Sequence, residues 1–168
     1  MALSRTAPRL NRERGIFTFA EVLIATLILA LAATTTAYWV ATVTNLVTDA
    51  DEQTVGMSLA KTMEGVVSPL LFREPGSANF GPEPGESLAD FDDVDDFNGL
   101  VLIPPVDSDR LPLPDLLDWK LRIVVEIVDP DDLSVVAASD LRRVRVIAER
   151  KQRVVVDVWW LRARSPFE

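Results

Sequence analysis

Twenty consecutive residues without a charge, Val22 to Ala41 ("VLIATLILALAATTTAYWVA"), constrain this chain more than any other feature. At a helical rise of about 1.5 Å per residue, such a run spans the roughly 30 Å hydrocarbon core of a bilayer. Tyr38 and Trp39 fall near its far end, where amphipathic aromatics favour the headgroup region. Glu21 stands immediately before the run. A carboxylate within a membrane costs at least a few kcal/mol, so it marks a functional position.

The helical pattern continues beyond the apolar run. Val40, Val43, Val47, Ala50, Met57, Ala60, Met63 and Val67 recur at three- and four-residue steps, with Thr44, Asp49, Asp51, Glu52 and Lys61 between them. No proline lies between Phe17 and Pro69, so one helix from about Phe17 to Val67 is expected. Its first half is apolar all round and its second amphipathic, which suits a rod with one end in lipid and the other on a globular body. Gly56 and Gly65 are expected to weaken the second half by up to about 1 kcal/mol each.

Charge divides in the same way. Residues 1–14 hold Arg5, Arg9, Arg12 and Arg14 against Glu13, while the chain after them carries 13 basic and 25 acidic residues. A basic flank before the apolar run reads as cytoplasmic under the positive-inside rule. The acidic body argues against nucleic acid as a partner, because phosphate binding needs clustered Lys or Arg. The chain has no cysteine and no histidine, which removes the thiolate nucleophile, thiolate metal sites and the commonest acid/base catalyst. Carboxylate pairs remain available, yet the expectation is that the chain is not an enzyme.

With these residues in view, "RGIFTFAEVLIA" resembles the N-terminal signature of the type IV prepilins and of the pseudopilins of type II secretion. Phe17, Thr18, Phe19, Ala20, Glu21, Val22 and Leu23 follow that order: an aromatic, Thr, two apolar residues, Glu, then a long apolar helix. The resemblance implies that prepilin peptidase removes a basic leader, residues 1–15, at the cytoplasmic face and methylates the new terminus. Glu21 would then be kept for assembly, pairing with the terminal amine of a neighbouring subunit, which offsets the cost of burying either charge alone. Glycine usually precedes the aromatic directly, whereas Ile16 here separates Gly15 from Phe17. Cleavage after Gly15 makes Glu21 the sixth mature residue; cleavage after Ile16 makes it the fifth. The cut is expected after Gly15, the residue that the peptidase of this family reads.

Two other readings of the segment fit less well. A secretory signal would be cut near "ALAAT", residues 30–34, but its apolar region is usually shorter and lacks an acid at its start. A plain uncleaved anchor leaves Glu21 and the amphipathic extension without a reason.

Residues 73–99 combine glycine, proline and acids, the signature of a long irregular connection. Within it "DFDDVDDFNG" holds aspartates at 90, 92, 93, 95 and 96. Calcium is one reading, with Asp92, Asp93, Asp95 and Asp96 as candidates. The EF-hand template fails, since placing Gly99 as its glycine sets Val94 at the first ligand position and Pro105 at the last. The favoured expectation is a solvated acidic loop without a cofactor. This stretch also resembles the loop of minor pilins of the mannose-sensitive haemagglutinin pilus type, with Phe97 where a tyrosine is usual.

"LIPPVDSDRLPLPD" reads as extended coil, after which alternation takes over. Trp119, Leu121, Ile123, Val125 and Ile127 form one apolar face; Val144, Val146 and Ala148 a second; Val154, Val156, Val158 and Trp160 a third. The last two strands are expected to form a hairpin with Ala148 opposite Val154, Val146 opposite Val156, and Arg150, Lys151 and Gln152 in the turn. That register sets Glu149 against Arg153 and Arg145 against Asp157. Trp159 falls on the open face.

The expected fold is α+β and pilin-like: a long N-terminal helix packed on a C-terminal antiparallel sheet. Its parts are a leader (1–15), a transmembrane or filament-core helix (16–43), an amphipathic continuation (44–68), an acidic loop region (69–118) and the sheet (119–164). The expected function is that of a minor pilin or pseudopilin subunit, held in the bacterial inner membrane by a single pass with its body in the periplasm or an extracellular filament. Its partners would be prepilin peptidase and other pilins or pseudopilins. The rival is a membrane-anchored extracytoplasmic binding module that does not polymerise.

Overall fold

A computed structural model describes residues 18–74 and 79–165 of the chain, so the cleavage-region residues Gly15, Ile16 and Phe17 lie outside the described residues. The elements run in the order of one helix, α1 (Phe19–Val67), and four strands: β1 (Val101–Leu102), β2 (Trp119–Ile127), β3 (Leu141–Arg150) and β4 (Arg153–Ala163). Short 3-10 turns occupy Asp95–Phe97 and Pro114–Leu116. The expected α+β class is the observed one. The chain divides into two compact units, one ending at Leu46 and one starting at Val47.

In the first unit, residues 18–41 are all exposed. Local propensity favours the helix there, because Ala and Leu are strong helix formers and proline is absent. Threonine, a weaker helix former, is accommodated by bonding backwards. The hydroxyls of Thr26, Thr35 and Thr36 donate to the carbonyls of Leu23, Leu31 and Ala32 at 2.9, 2.8 and 2.8 Å.

The second unit is built round a meander of four antiparallel strands in the order β1-β2-β3-β4. Its core combines Leu59, Ala60, Met63, Val66 and Val67 of α1 with Trp119, Leu121, Ile123 and Val125 of β2 and Val144, Val146 and Ala148 of β3. Each large apolar side chain buried in this way contributes about 1.5–3 kcal/mol relative to its exposed state. Gly56 allows the close approach of helix and sheet: a Cβ there would meet Val156 Cγ2 at 2.8 Å and the Trp119 ring at 3.3 Å. Charges border the same contact, where Arg150 pairs with Glu52 at 3.1 Å and Arg153 with Asp49 at 3.2 Å and with Glu52. A long apolar helix whose second half packs on an antiparallel sheet is compatible with a pilin-like fold.

Several expectations of the C-terminal half are corrected. The edge strand β1, whose Leu102 opens the segment read as coil, pairs Val101 with Arg122 and Leu102 with Leu121. The β3–β4 turn holds two residues rather than three: Arg150 opposes Arg153, and Lys151 and Gln152 carry φ of 48° and 66°. Two successive positive φ values give the turn that matches strand twist, reached here without glycine. A bulge between Ala148 and Glu149 then sets Ala148 opposite Val156 and Val146 opposite Val158. The register is thus displaced by two residues from the expected one, which preserves the faces of Val156, Val158 and Trp160. Val154 is the exception: it lies opposite Glu149, before the bulge, and is 52% exposed.

The outer face of the sheet carries a lattice of ion pairs. Arg143 reaches Glu126 at 2.7 Å, and Lys120 and Arg122 reach Glu149 at 2.5 and 3.3 Å. Arg145 meets Asp157 at 2.5 Å although Trp159 is its direct cross-strand neighbour, so the expected pair forms diagonally. Glu149 turns to β2 rather than to Arg153, whose guanidinium goes to α1.

Candidate functional site

Glu21 lies in the first turn of α1 and closes its N-terminus. The Thr18 amide and hydroxyl donate to Glu21 Oε2 at 2.8 and 3.0 Å, and the Glu21 amide donates to Thr18 Oγ1 at 3.3 Å. This is a reciprocal capping box of the T-x-x-E kind. The signature stands in the sequence as "TFAE", residues 18–21.

On either side of Glu21 and as far as Ala41, the helix presents exposed apolar side chains all round. Phe19, Leu27, Leu29, Tyr38 and Trp39 are 80, 61, 69, 71 and 62% exposed, far more contiguous apolar surface than a free soluble protein shows. The intrahelical bonds of Thr34, Thr42 and Thr44 add to those above, so the hydroxyls bring no unmet donor into an apolar medium. One helix is therefore long and apolar enough near the N-terminus to cross a membrane.

The acidic segment is folded rather than solvated, which overturns the loop expectation. Asp93, Asp95 and Asp96 are 3, 1 and 2% exposed. Leu71 bridges to Asp93, with the Val94 amide donating to the Leu71 carbonyl at 3.0 Å, so the segment is held beside the chain leaving α1. Phe91, Val94 and Phe97 anchor it in the core, Phe91 and Phe97 meeting edge to face with ring centroids 5.3 Å apart. Arg110 clamps it from outside, donating to the carbonyls of Leu88 and Phe91, each at 2.8 Å.

The four candidate aspartates separate into two roles. Asp95 binds Arg142 through both carboxylate oxygens, at 2.7 and 3.1 Å, and so belongs to a buried ion pair. Asp92, Asp93 and Asp96 gather, one carboxylate oxygen of each lying within 4.8 Å of the others. Asp96 also forms such a group with Glu83 and Glu86, two residues that sequence reading did not single out. Oxygen ligands of this type suit hard cations. Burial pushes the carboxyls of Asp93 and Asp96 above the usual range, and repulsion from Glu83 does the same to Glu74.

Compared with known proteins, the chain matches no family model, no curated protein and no solved structure.

Proposed function

We propose that this chain is a prepilin-like subunit whose work is assembly rather than catalysis. Prepilin peptidase would cut after Gly15 at the cytoplasmic face and methylate Ile16. The helix would then leave the inner membrane and pack with other pilins or pseudopilins, in a type IV pilus or a type II secretion pseudopilus. A minor position in that filament accords with the resemblance of the aspartate segment to minor pilins of the mannose-sensitive haemagglutinin type.

The observation that carries this reading is Glu21 at the start of a helix that is apolar all round, exposed through residues 18–41, and continuous with a half that packs on an antiparallel sheet. Capping by Thr18 would serve an anchor helix equally, but it needs no carboxylate in particular, since glutamine can close the same box. Within a filament core the carboxylate has an opposite charge to meet, the amine of the next subunit.

Intact mass and N-terminal sequence of the membrane-extracted protein, made with and without a co-expressed prepilin peptidase, test the proposal. A peptidase-dependent start at Ile16 with one added methyl is expected; a start at Phe17 would keep the class and shift Glu21 to the fifth position. An uncut chain beside an active cognate peptidase, or a cut near Ala33, would replace the proposal with an anchored or secreted binding module.

A further inference from the structure

Asp96 holds an arrangement that the fold alone leaves incomplete. Its Oδ2 accepts the amides of Asp92 and Asp93 at 3.0 and 3.1 Å, while its Oδ1 is buried without a hydrogen-bond partner. The residue is 2% exposed and belongs to both carboxylate groups, Asp92 with Asp93 on one side and Glu83 with Glu86 on the other. A buried carboxylate oxygen with no donor is an expensive thing to leave in a folded protein.

Its neighbours do not relieve it. Among the described residues no Lys or Arg pairs with Asp92, Asp93 or Asp96, although the same segment gives Asp95 a bidentate arginine and the sheet gives Glu149 two basic partners. Hydrogen bonds hold the group in shape: the Glu74 amide donates to Asp93 Oδ2 at 2.6 Å, the Asp96 amide to Asp93 Oδ1 at 3.1 Å, and the Glu83 amide to Glu86 Oε2 at 2.9 Å. Carboxylates are thus preorganised round Asp96, one of whose oxygens is left without a partner, and like charge accumulates there.

We propose that this cluster is a calcium site centred on Asp96, with Asp92, Asp93, Glu83 and Glu86 supplying the other carboxylate oxygens. Calcium takes about 6–8 oxygens at about 2.3–2.6 Å in irregular geometry, whereas magnesium demands a near-ideal octahedron and sheds water reluctantly. A set of carboxylates offered by an irregular segment matches the first requirement. The ion would tie the 83–86 turn to the 92–96 segment and neutralise the repulsion there. The site does not depend on the filament reading, because its ligands all lie within one subunit.

The test uses the full chain in detergent micelles, stripped with EDTA and titrated at neutral pH with calcium chloride and separately with magnesium chloride. Saturable calcium heat, with Kd at or below the ~10⁻⁴–10⁻³ M of extracellular calcium modules, is expected, together with a Tm that rises with calcium. Asp96→Asn and Glu86→Gln should each weaken calcium binding by about tenfold or more. Glu86 is only part-buried, so Glu86→Gln carries the test if Asp96→Asn folds poorly. Absence of saturable heat and of any Tm change at millimolar calcium would overturn the site. So would wild-type affinity in folded Glu86→Gln, or magnesium affinity equal to that for calcium.

Discussion

Asp95 and Arg142 form a bidentate ion pair across 47 residues of sequence, with side chains only 2 and 5% exposed. The guanidinium also donates to the Ser139 carbonyl at 2.9 Å and lies over the Phe72 ring, 4.5 Å from its centroid. One arginine of β3 therefore fixes the acidic segment, the chain just after α1 and the loop before its own strand. Removing one partner strands a buried charge. Arg142→Ala or Asp95→Ala should each cost about 3–5 kcal/mol, and the double variant less than the sum. Denaturant unfolding of the full chain in micelles checks this; additive losses would show that the pair does not couple.

The two glycines of the amphipathic half of α1 should respond in opposite directions to alanine. At Gly65 a Cβ meets nothing within 4 Å, so Gly65→Ala should stabilise the protein by up to about 1 kcal/mol through helix propensity. At Gly56 the added carbon would press on the stiff Val156 side chain at 2.8 Å, and Gly56→Ala should cost about 1–3 kcal/mol by overpacking. Thermal unfolding of both variants separates the two cases by sign.

Asp157 predicts a pH response. The hydrogen bonds from Arg145 hold its carboxyl below the usual carboxylate range, with the arginine's charge adding to the effect. A depressed folded pKa means that the unfolded chain binds the proton more readily. The contribution to stability is therefore complete above the unfolded value of about 3.9 and is lost as pH falls through the lower folded value. Asp157→Asn should flatten the dependence of Tm on pH in that acidic window and leave its shape near neutrality unchanged. An unaltered acid limb would show that the pair is screened into irrelevance.

Glu21 can be divided into its two roles by substitution. Glutamine can keep the reciprocal bonds with Thr18 but removes the charge. Glu21→Gln should therefore insert in the membrane normally and fail to enter filaments, while Thr18→Ala should lose about 0.5–2 kcal/mol of capping and still assemble. Comparing the sheared-filament and membrane fractions of the two variants decides it. Wild-type filament yield from Glu21→Gln would reduce the residue to a cap.

The long helix, its change from apolar to amphipathic and the inward faces of β2 and β3 were legible in sequence, because each follows from the spacing of apolar residues along a few turns or one strand. The capping box at Thr18 and Glu21 was equally local and was readable from four letters. Strand β1 was hidden by its length of two residues and by the prolines that follow it. The β3–β4 register escaped because it depends on positive φ at Lys151 and Gln152 and on a bulge, neither of which side-chain alternation reveals.

The acidic segment marks the boundary between the two kinds of information. Its composition alone described a solvated loop, since five aspartates in seven positions repel one another in any isolated peptide. Only the tertiary structure buried three of them, by bringing Arg142 to Asp95 and by seating Phe91, Val94 and Phe97 in the core. Periodicity is a property of neighbouring residues and is carried by the sequence itself; the partner that makes a buried charge tolerable sits on a distant strand, and folding alone decides which charge receives it.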